Sequence, residues 1–220
     1  MRKVLACVAV AALVASAPAA TVLISQDWES GPAGWTATPP SGGWTLGSGM
    51  GANPGAYSGT QYWFAPDLVG PSSDFLTSPV VNVPDTDPLQ LNFWHRYDME
   101  TNYDGGVVEI NVNGGGFVYV ASQYLVQNGY TGTISMNFQN PLMGLDAFTG
   151  DYDTAGYFET IVDLKTFAGN GDTVQIRFHQ GDDSSVTDDG WYLDDLVLAT
   201  IPEPASLLLL GLGGLLLRRR

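Results

Sequence analysis

The stretch "LQLNFWHRY", Leu89 to Tyr97, decides the fold class. Leu89, Leu91, Phe93, His95 and Tyr97 alternate with Gln90, Asn92, Trp94 and Arg96, and successive side chains of a strand point to opposite faces, so a period of two marks a half-buried β-strand. The same alternation returns in "VVEINV" at Val107 to Val112, then "NGGG" at Asn113 to Gly116 turns the chain into "FVYV". Asn-Gly specifies such a hairpin because both residues tolerate positive φ. "YFETIVDL", "TVQIRFHQ" and "WYLDDLVLA", starting at Tyr157, Thr173 and Trp191, supply three later strands. The 27 glycines and 13 prolines are spread between strands without a period, and no helical pattern of any length lies outside the termini. These features predict an all-β fold, one antiparallel jelly-roll or concanavalin-like β-sandwich. Gly31 to Gly59 reads as loop-rich. Gln127 to Asp153 reads as a long excursion that either carries binding or merely decorates the scaffold.

The two ends have a different character. Arg2 and Lys3 precede an apolar stretch from Val4 to Val14, followed by small residues ending in Ala17-Pro18-Ala19. That is the three-part pattern of a secretory signal peptide, with cleavage by signal peptidase expected after Ala19. The 1 cysteine, Cys7, would leave with it, so no disulfide could support the exported chain. At the other end, Pro202-Glu203-Pro204 precedes an apolar run from Ala205 to Leu217 and a terminal Arg218-Arg219-Arg220. As a helix that run covers about 20 Å of a hydrocarbon core about 30 Å thick, a short anchor. Arginines prefer the cytoplasmic side, which would leave the body outside.

Charge narrows the partners. The formal net charge is −15, and of the 8 basic residues only Arg96, Lys165 and Arg177 lie in the body, which holds all but one of the 23 acidic residues. So acidic a body repels nucleic acid and anionic membrane surfaces and excludes both as partners. Converging carboxylates would instead attract a hard cation with oxygen ligands.

Three acidic clusters qualify: "DWE" at Asp27 to Glu29, "YDMETNYDGG" with Asp98, Glu100, Asn102 and Asp104, and "GDDSSVTDDGWYLDD" with Asp182, Asp183, Asp188, Asp189, Asp194 and Asp195. The second has EF-hand spacing, but Tyr103 stands where that loop needs glycine and the flanks are strand-like, so the match is accidental. In the third, alternation puts Asp194 and Asp195 on opposite faces, and one of them should point to the interior or its rim, needing a donor or a metal. The alternative is an aspartate satisfied by the amides of a neighbouring loop.

Two resemblances add to this. The C-terminal order of Pro202-Glu203-Pro204, a Leu/Gly-rich segment and Arg218 to Arg220 resembles the PEP-CTERM sorting signal of Gram-negative bacteria. It implies recognition by exosortase, transient attachment to the inner membrane through a short apolar C-terminal helix, and export to the cell surface or to an exopolysaccharide biofilm matrix. "FWHRYDMETNYDGGVVEINVNGG" and "DDGWYLDDLVL", with the opening "DWE", are similar to the MAM-like jelly-roll module that accompanies immune inhibitor A-type secreted proteases. That likeness covers roughly Val22 to Thr200, in a domain expected at residues 20–200, and implies a structural calcium ion near Asp27, Glu29 and Asp194 or Asp195. Glu100 and Asp104 are further metal candidates from the second cluster. The chain has no His-Glu-x-x-His, so the module stands without its protease.

Catalysis finds little support. His95 and His179 sit in alternating strand segments with no serine or cysteine in an elbow-like context, and no compact acid pair stands out. The expectation is a non-enzymatic, exported, calcium-stabilised sandwich for glycan binding or adhesion, with a surface glycan hydrolase or a ligand-free matrix protein as rivals. Trp94 and Trp191 sit in strong strand patterns and are expected in the core, whereas Trp35, Trp44, Tyr130 and Tyr152 lie in loop-like stretches and are the expected glycan contacts, because exposed rings are platforms for sugar faces.

Overall fold

A computed structural model describes residues 19–39, 43–52, 55–84, 87–153 and 156–202. Sixteen strands follow in chain order: β1 (Thr21–Gln26), β2 (Thr36–Thr38), β3 (Thr45–Gly47), β4 (Tyr62–Pro66), β5 (Ser72–Thr77), β6 (Val81–Asn82), β7 (Leu89–Met99), β8 (Gly105–Val112), β9 (Phe117–Tyr119), β10 (Leu125–Gln127), β11 (Gly132–Thr133), β12 (Asp146–Ala147), β13 (Gly150–Asp151), β14 (Phe158–Asp163), β15 (Thr173–Asp182) and β16 (Gly190–Thr200). The larger sheet has the order β10-β14-β7-β16-β4-β3, with β1 also paired to β16 and β13 to β7. The smaller has the order β2-β5-β15-β8-β9, with β6 also on β15. Every pairing is antiparallel, and the two sheets enclose one core. The chain is therefore a jelly-roll-like β-sandwich, and the expected strand stretches coincide with β7, β8, β14, β15 and β16.

Alternation sets what faces inward. Leu89, Leu91, Phe93, His95, Tyr97 and Met99 of β7 are buried, as are Ile176 and Phe178 of β15 and Val108 and Ile110 of β8. The hairpin after β8 turns at Asn113 and Gly114, whose φ angles of 54° and 71° lie in the left-handed region the Asn-Gly pair tolerates.

His95 is wholly buried among aromatic rings, and its partners assign a neutral tautomer: Trp191 Nε1–H donates to Nδ1 at 3.1 Å, while Nε2 meets Thr160 Oγ1 at 2.8 Å. Thr160 in turn donates to the Asn128 carbonyl at 2.8 Å. Burial holds the imidazole well below its usual pKa. It is a structural histidine that ties β7 to its neighbours β14 and β16 within the larger sheet.

On the outer side of the smaller sheet, Arg177 lies over the rings of Phe75 and Phe117, at 4.2 and 4.0 Å from their centroids, and its Nε donates to Glu109. His179 Nδ1 reaches the other Glu109 oxygen at 3.4 Å. Burial pushes the Glu109 carboxyl up, but hydrogen bonds from His179 and Arg177 outweigh it and the net shift is downward. A depressed carboxyl stabilises the fold above its unfolded pKa, and that contribution is lost as pH falls through the folded value. Glu109→Gln is therefore expected to cost about 1–2 kcal/mol at pH 7, because the pair is half-buried and water screens part of its attraction. The gap between wild type and variant, read from denaturant midpoints, should narrow below pH 4.5. A gap constant down to pH 3 would contradict this.

Candidate functional site

Two places on the sandwich collect polar chemistry. The first is an acidic end. Asp67 follows β4, Glu100 and Asp104 bound the turn between β7 and β8, and Asp182 and Asp183 sit where β15 runs into the loop before β16. The turn closes because Asn102 takes a left-handed φ of 65°, and the Tyr103 and Asp104 amides both donate to the Glu100 carbonyl. Oxygens of Asp67, Asp104 and Asp182 lie within 4.8 Å of one another, as do those of Glu100, Asp104 and Asp183. Asp104 belongs to both groups.

Protein donors clamp one side of these carboxylates. Asp67 Oδ2 accepts from the Asp188 amide at 3.0 Å, and Asp183 Oδ1 from the Ser185 amide at 2.7 Å. Asp104 Oδ1 accepts from the Asp183 amide, and both Asp182 oxygens are bonded, to Gln180 and Ser72. Asp67 Oδ1, Asp104 Oδ2, Asp183 Oδ2 and Glu100 Oε2 are buried with no donor at all. Burial, reinforced by neighbouring carboxylates, pushes Asp67, Asp104 and Glu100 above the usual carboxylate range and Asp182 up to about 7. The EF-hand-like spacing thus breaks up in space: Asp98 stays in β7 opposite Gly190, and Glu100 and Asp104 join acids from elsewhere. Sequence reasoning missed Asp67, and it marked Asp182 and Asp183 only as members of a loop.

Asp27, Glu29, Asp194 and Asp195 lie apart from this cluster and act on the loop before β4. Asp194 Oδ2 accepts from the amides of Tyr57 and Ser58 at 2.8 and 3.1 Å, and Asp195 Oδ1 from the Ser58 hydroxyl at 2.9 Å. Glu29 Oε1 accepts from the amides of Thr60 and Gln61 at 2.8 and 2.6 Å, and Asp27 Oδ1 from Glu29 N at 3.2 Å. None of these carboxylates has an oxygen buried without a donor. Asp194 and Glu29 thus match the loop-amide alternative, and Asp27 and Glu29 are exposed and have no buried oxygen to satisfy.

Asp194 is fully buried under the loop at Tyr57 and Ser58, at the rim of the sandwich, and β16 bulges between Asp194 and Leu196 with Asp195 at φ 33°. The extra residue restores the register, so Leu193 and Leu196 both face inward opposite His95 and Phe93.

The second place is a cleft of about 330 Å³ on the outer face of the larger sheet, lined by Gln26, Asp27, Asn92, Trp94, Glu159 and Asp195 among others. The registry explains it: Glu159 pairs with Trp94, and Ser25 and Asn92 both pair with Val197, so outward side chains of β1, β16, β7 and β14 form adjacent rows. Trp94 stacks on Tyr57 with ring centroids 3.9 Å apart and planes 11° from parallel. Asn92 Nδ2 donates to Glu159 Oε1 at 2.9 Å. The alternation in "LQLNFWHRY" puts Trp94 outward, and sequence reasoning had nevertheless assigned it to the core.

The expected aromatic contacts divide. Trp35 and Trp44 are 3% exposed and belong to the core, a correction to their assignment as loop platforms. Trp35 stacks on Phe178 at 6.1 Å, and Trp44 lies 5.3 Å from Trp191. Tyr130 is tied inward, its hydroxyl accepting from Val108 N and donating to Val120 O, both at 3.0 Å. Tyr152 remains available at 43% exposure, beside Phe158 in a small pocket of about 120 Å³. The 127–153 excursion packs its own buried cluster of Ile134, Leu142 and Ala147 on Val107, and Asn140 bridges the Tyr103 and Gly181 carbonyls at 2.7 and 2.6 Å. It is a built buttress beside the acidic end.

Among the described residues, no helix is long and apolar enough to cross a membrane. Pro202 is the last described residue; Glu203, Pro204, Arg218 to Arg220, the expected C-terminal helix and the expected signal peptide lie outside the described residues.

Comparison with known proteins adds three findings. The PEP-CTERM protein-sorting motif matches residues 200–220. Bacillopeptidase F of Bacillus subtilis (strain 168) is 25% identical over 188 residues, covering 83% of this chain, and the chain spans only 11% of that protein. Similar solved structures are the K1 cleaved adhesin domain of Lys-gingipain from Porphyromonas gingivalis W83 (16% identity, 81% of this chain and 98% of that one, TM-score 0.47) and a xylan-binding domain from Paenibacillus barcinonensis Xyn10C (11% identity, 86% and 100%, TM-score 0.47). The chain thus carries an exosortase-type sorting signal for export to the cell surface.

Proposed function

We propose that this exported surface protein is a non-enzymatic binding module whose ligand is a polysaccharide, held in the Trp94 cleft on the outer face of the larger sheet. The observation that carries this reading is the combination in one cleft of the Trp94 ring, backed by its stack on Tyr57, with the amide of Asn92 and the carboxylates of Asp27, Glu159 and Asp195. A ring offers an apolar plate to the C–H face of a sugar, while amides and carboxylates accept and donate to its hydroxyls. The polar groups outnumber the aromatic ones, which suits a hydrophilic ligand. Four strands of one sheet carry them, so their spacing is set before any ligand arrives.

The sorting signal would deliver this module, by way of exosortase and a transient stay in the inner membrane, to the surface or exopolysaccharide matrix of a Gram-negative cell. Presented there, the cleft would serve adhesion or matrix retention. The −15 formal charge keeps the protein from anionic polymers, so neutral glycans are the favoured class.

Glycan-array screening of the full chain followed by titration calorimetry tests the proposal. Trp94→Ala should weaken binding of the best array hit at least tenfold, a loss of about 1.4 kcal/mol or more. Tyr152→Ala, at the separate small pocket, should leave it unchanged. Unaltered affinity of the Trp94 variant would reject the cleft, and a silent array would favour a matrix protein without a ligand. The three carboxylates in the cleft favour glycan hydrolysis as the second reading, which release of reducing ends from the same polysaccharides would establish.

A further inference from the structure

We infer that the Asp67, Glu100, Asp104, Asp182 and Asp183 carboxylates form a divalent-cation site of calcium type, centred on Asp104, that clips the two sheets together at the acidic end of the sandwich. The first observation is convergence: two groups of carboxylate oxygens, each within 4.8 Å, share Asp104. The second is independent of it. Asp104 and Asp183 are 0% and 1% exposed, yet Asp104 Oδ2 and Asp183 Oδ2 have no donor, and Asp67 Oδ1 and Glu100 Oε2 are buried in the same condition. Gln180 Oε1, a neutral oxygen on the same β15, is also buried without a donor. A buried carboxylate oxygen without a partner is costly, and four in one place call for a positive charge.

The described residues supply none. The body holds three basic residues, and each is engaged elsewhere: Arg96 over the rings of Tyr157 and Tyr192, Lys165 with Asp163, and Arg177 with Glu109. The charges bearing on Asp67, Asp104 and Asp182 are other carboxylates. A cation from solvent is the remaining source of positive charge.

The donor set selects its kind. All candidate ligands are oxygens, four of them free carboxylate oxygens, with no described histidine or cysteine among them. Hard cations take oxygen ligands, and calcium takes six to eight at about 2.3–2.6 Å in flexible geometry, while magnesium holds its waters and demands a regular octahedron. A cluster drawn from three separate stretches of chain is irregular and suits calcium.

The placement gives the ion a task. Asp67 and Glu100 extend from β4 and β7 of the larger sheet, and Asp104 and Asp182 from β8 and β15 of the smaller. Asp183 and Asp67 also hold the loop before β16 through Ser185 and Asp188. One ion would join both sheets and that loop, the kind of constraint a disulfide gives, in a body that has no cysteine.

Melting of the full chain, purified in mild detergent and stripped with chelator, tests the site. Calcium at a thousand times its dissociation constant should raise the midpoint by about 10 °C. Equal magnesium should raise it less. Asp104→Asn and Glu100→Gln should abolish or sharply reduce the calcium shift, and in chelator Asp104→Asn should melt at or above wild type, because it removes a repelling charge. Asp194→Asn should keep the full shift. The assignment is overturned if wild type melts identically with calcium and chelator, if magnesium gives the larger shift, or if the shift survives Asp104→Asn and vanishes in Asp194→Asn, which would move the ion to the loop at 57–61. Direct calcium uptake by equilibrium dialysis distinguishes a variant that fails to bind from one that fails to fold.

Discussion

Replacing Trp191 by alanine is expected to lower the unfolding free energy by about 4 kcal/mol, within the range of about 3–5 for deleting a large buried ring. Trp191 belongs to β16 of the larger sheet but spans the sandwich, fully buried. Its ring lies 5.8 Å from Phe178 of the smaller sheet, 5.7 Å from Phe148 and 5.3 Å from Trp44. It also fills the space over Gly106 of β8, where any Cβ would collide with it. Alanine would leave a cavity bounded by rings from both sheets, which the rigid strands cannot collapse to fill. It would also take the donor from His95 Nδ1, leaving a buried acceptor unpaired. Chemical denaturation reads the difference directly. A loss under 1 kcal/mol would mean the ring does not bridge the sheets as described.

The second large effect is expected at Gly190, which begins β16 and pairs with both Pro66 and Asp98. Its φ of 132° is a conformation that residues with a side chain rarely adopt. An added Cβ would also strike backbone atoms, the Ala65 carbonyl oxygen and the Asp67 amide, which cannot swing aside as a side chain can. Gly190→Ala is expected to cost about 3 kcal/mol or more, since backbone strain alone is worth about 1–3. The damage would not stop at stability. Relieving the clash must push β4 away from β16 and displace Asp67, so the variant should also lose its melting response to calcium. Wild-type melting in both conditions would show that β4 has room to spare.

The strands were legible in the sequence where burial is one-sided. The alternation of Leu89 to Tyr97 gave the faces of β7 correctly, and Asn113-Gly114 marked its turn, because both are local properties of a few consecutive residues. The bulge at Asp195 was not legible. It depends on Leu193 and Leu196 both needing the core, which only the pairing partners His95 and Phe93 reveal. Trp35 and Trp44 read as loop residues because they lie outside regular alternation, yet loops and edge strands fold their rings over Phe178 and Trp191. The acidic end was half legible: Glu100 and Asp104 stand in one short stretch, but Asp67 and Asp182 join them from distant positions. No spacing rule encodes that convergence; the sheet order does. Trp94 shows the opposite failure, since a strong strand pattern suggested the core although the same pattern assigns it to the outer face.

The claim that the outer face of the larger sheet is the working surface is tested most directly by a crystal structure of the protein soaked with the tightest-binding oligosaccharide from the array. The account predicts a sugar ring packed against Trp94, with hydroxyls on Asn92 and Glu159. Ordered sugar at the Tyr152 pocket or on the 127–153 segment, with the Trp94 cleft bare, would contradict it.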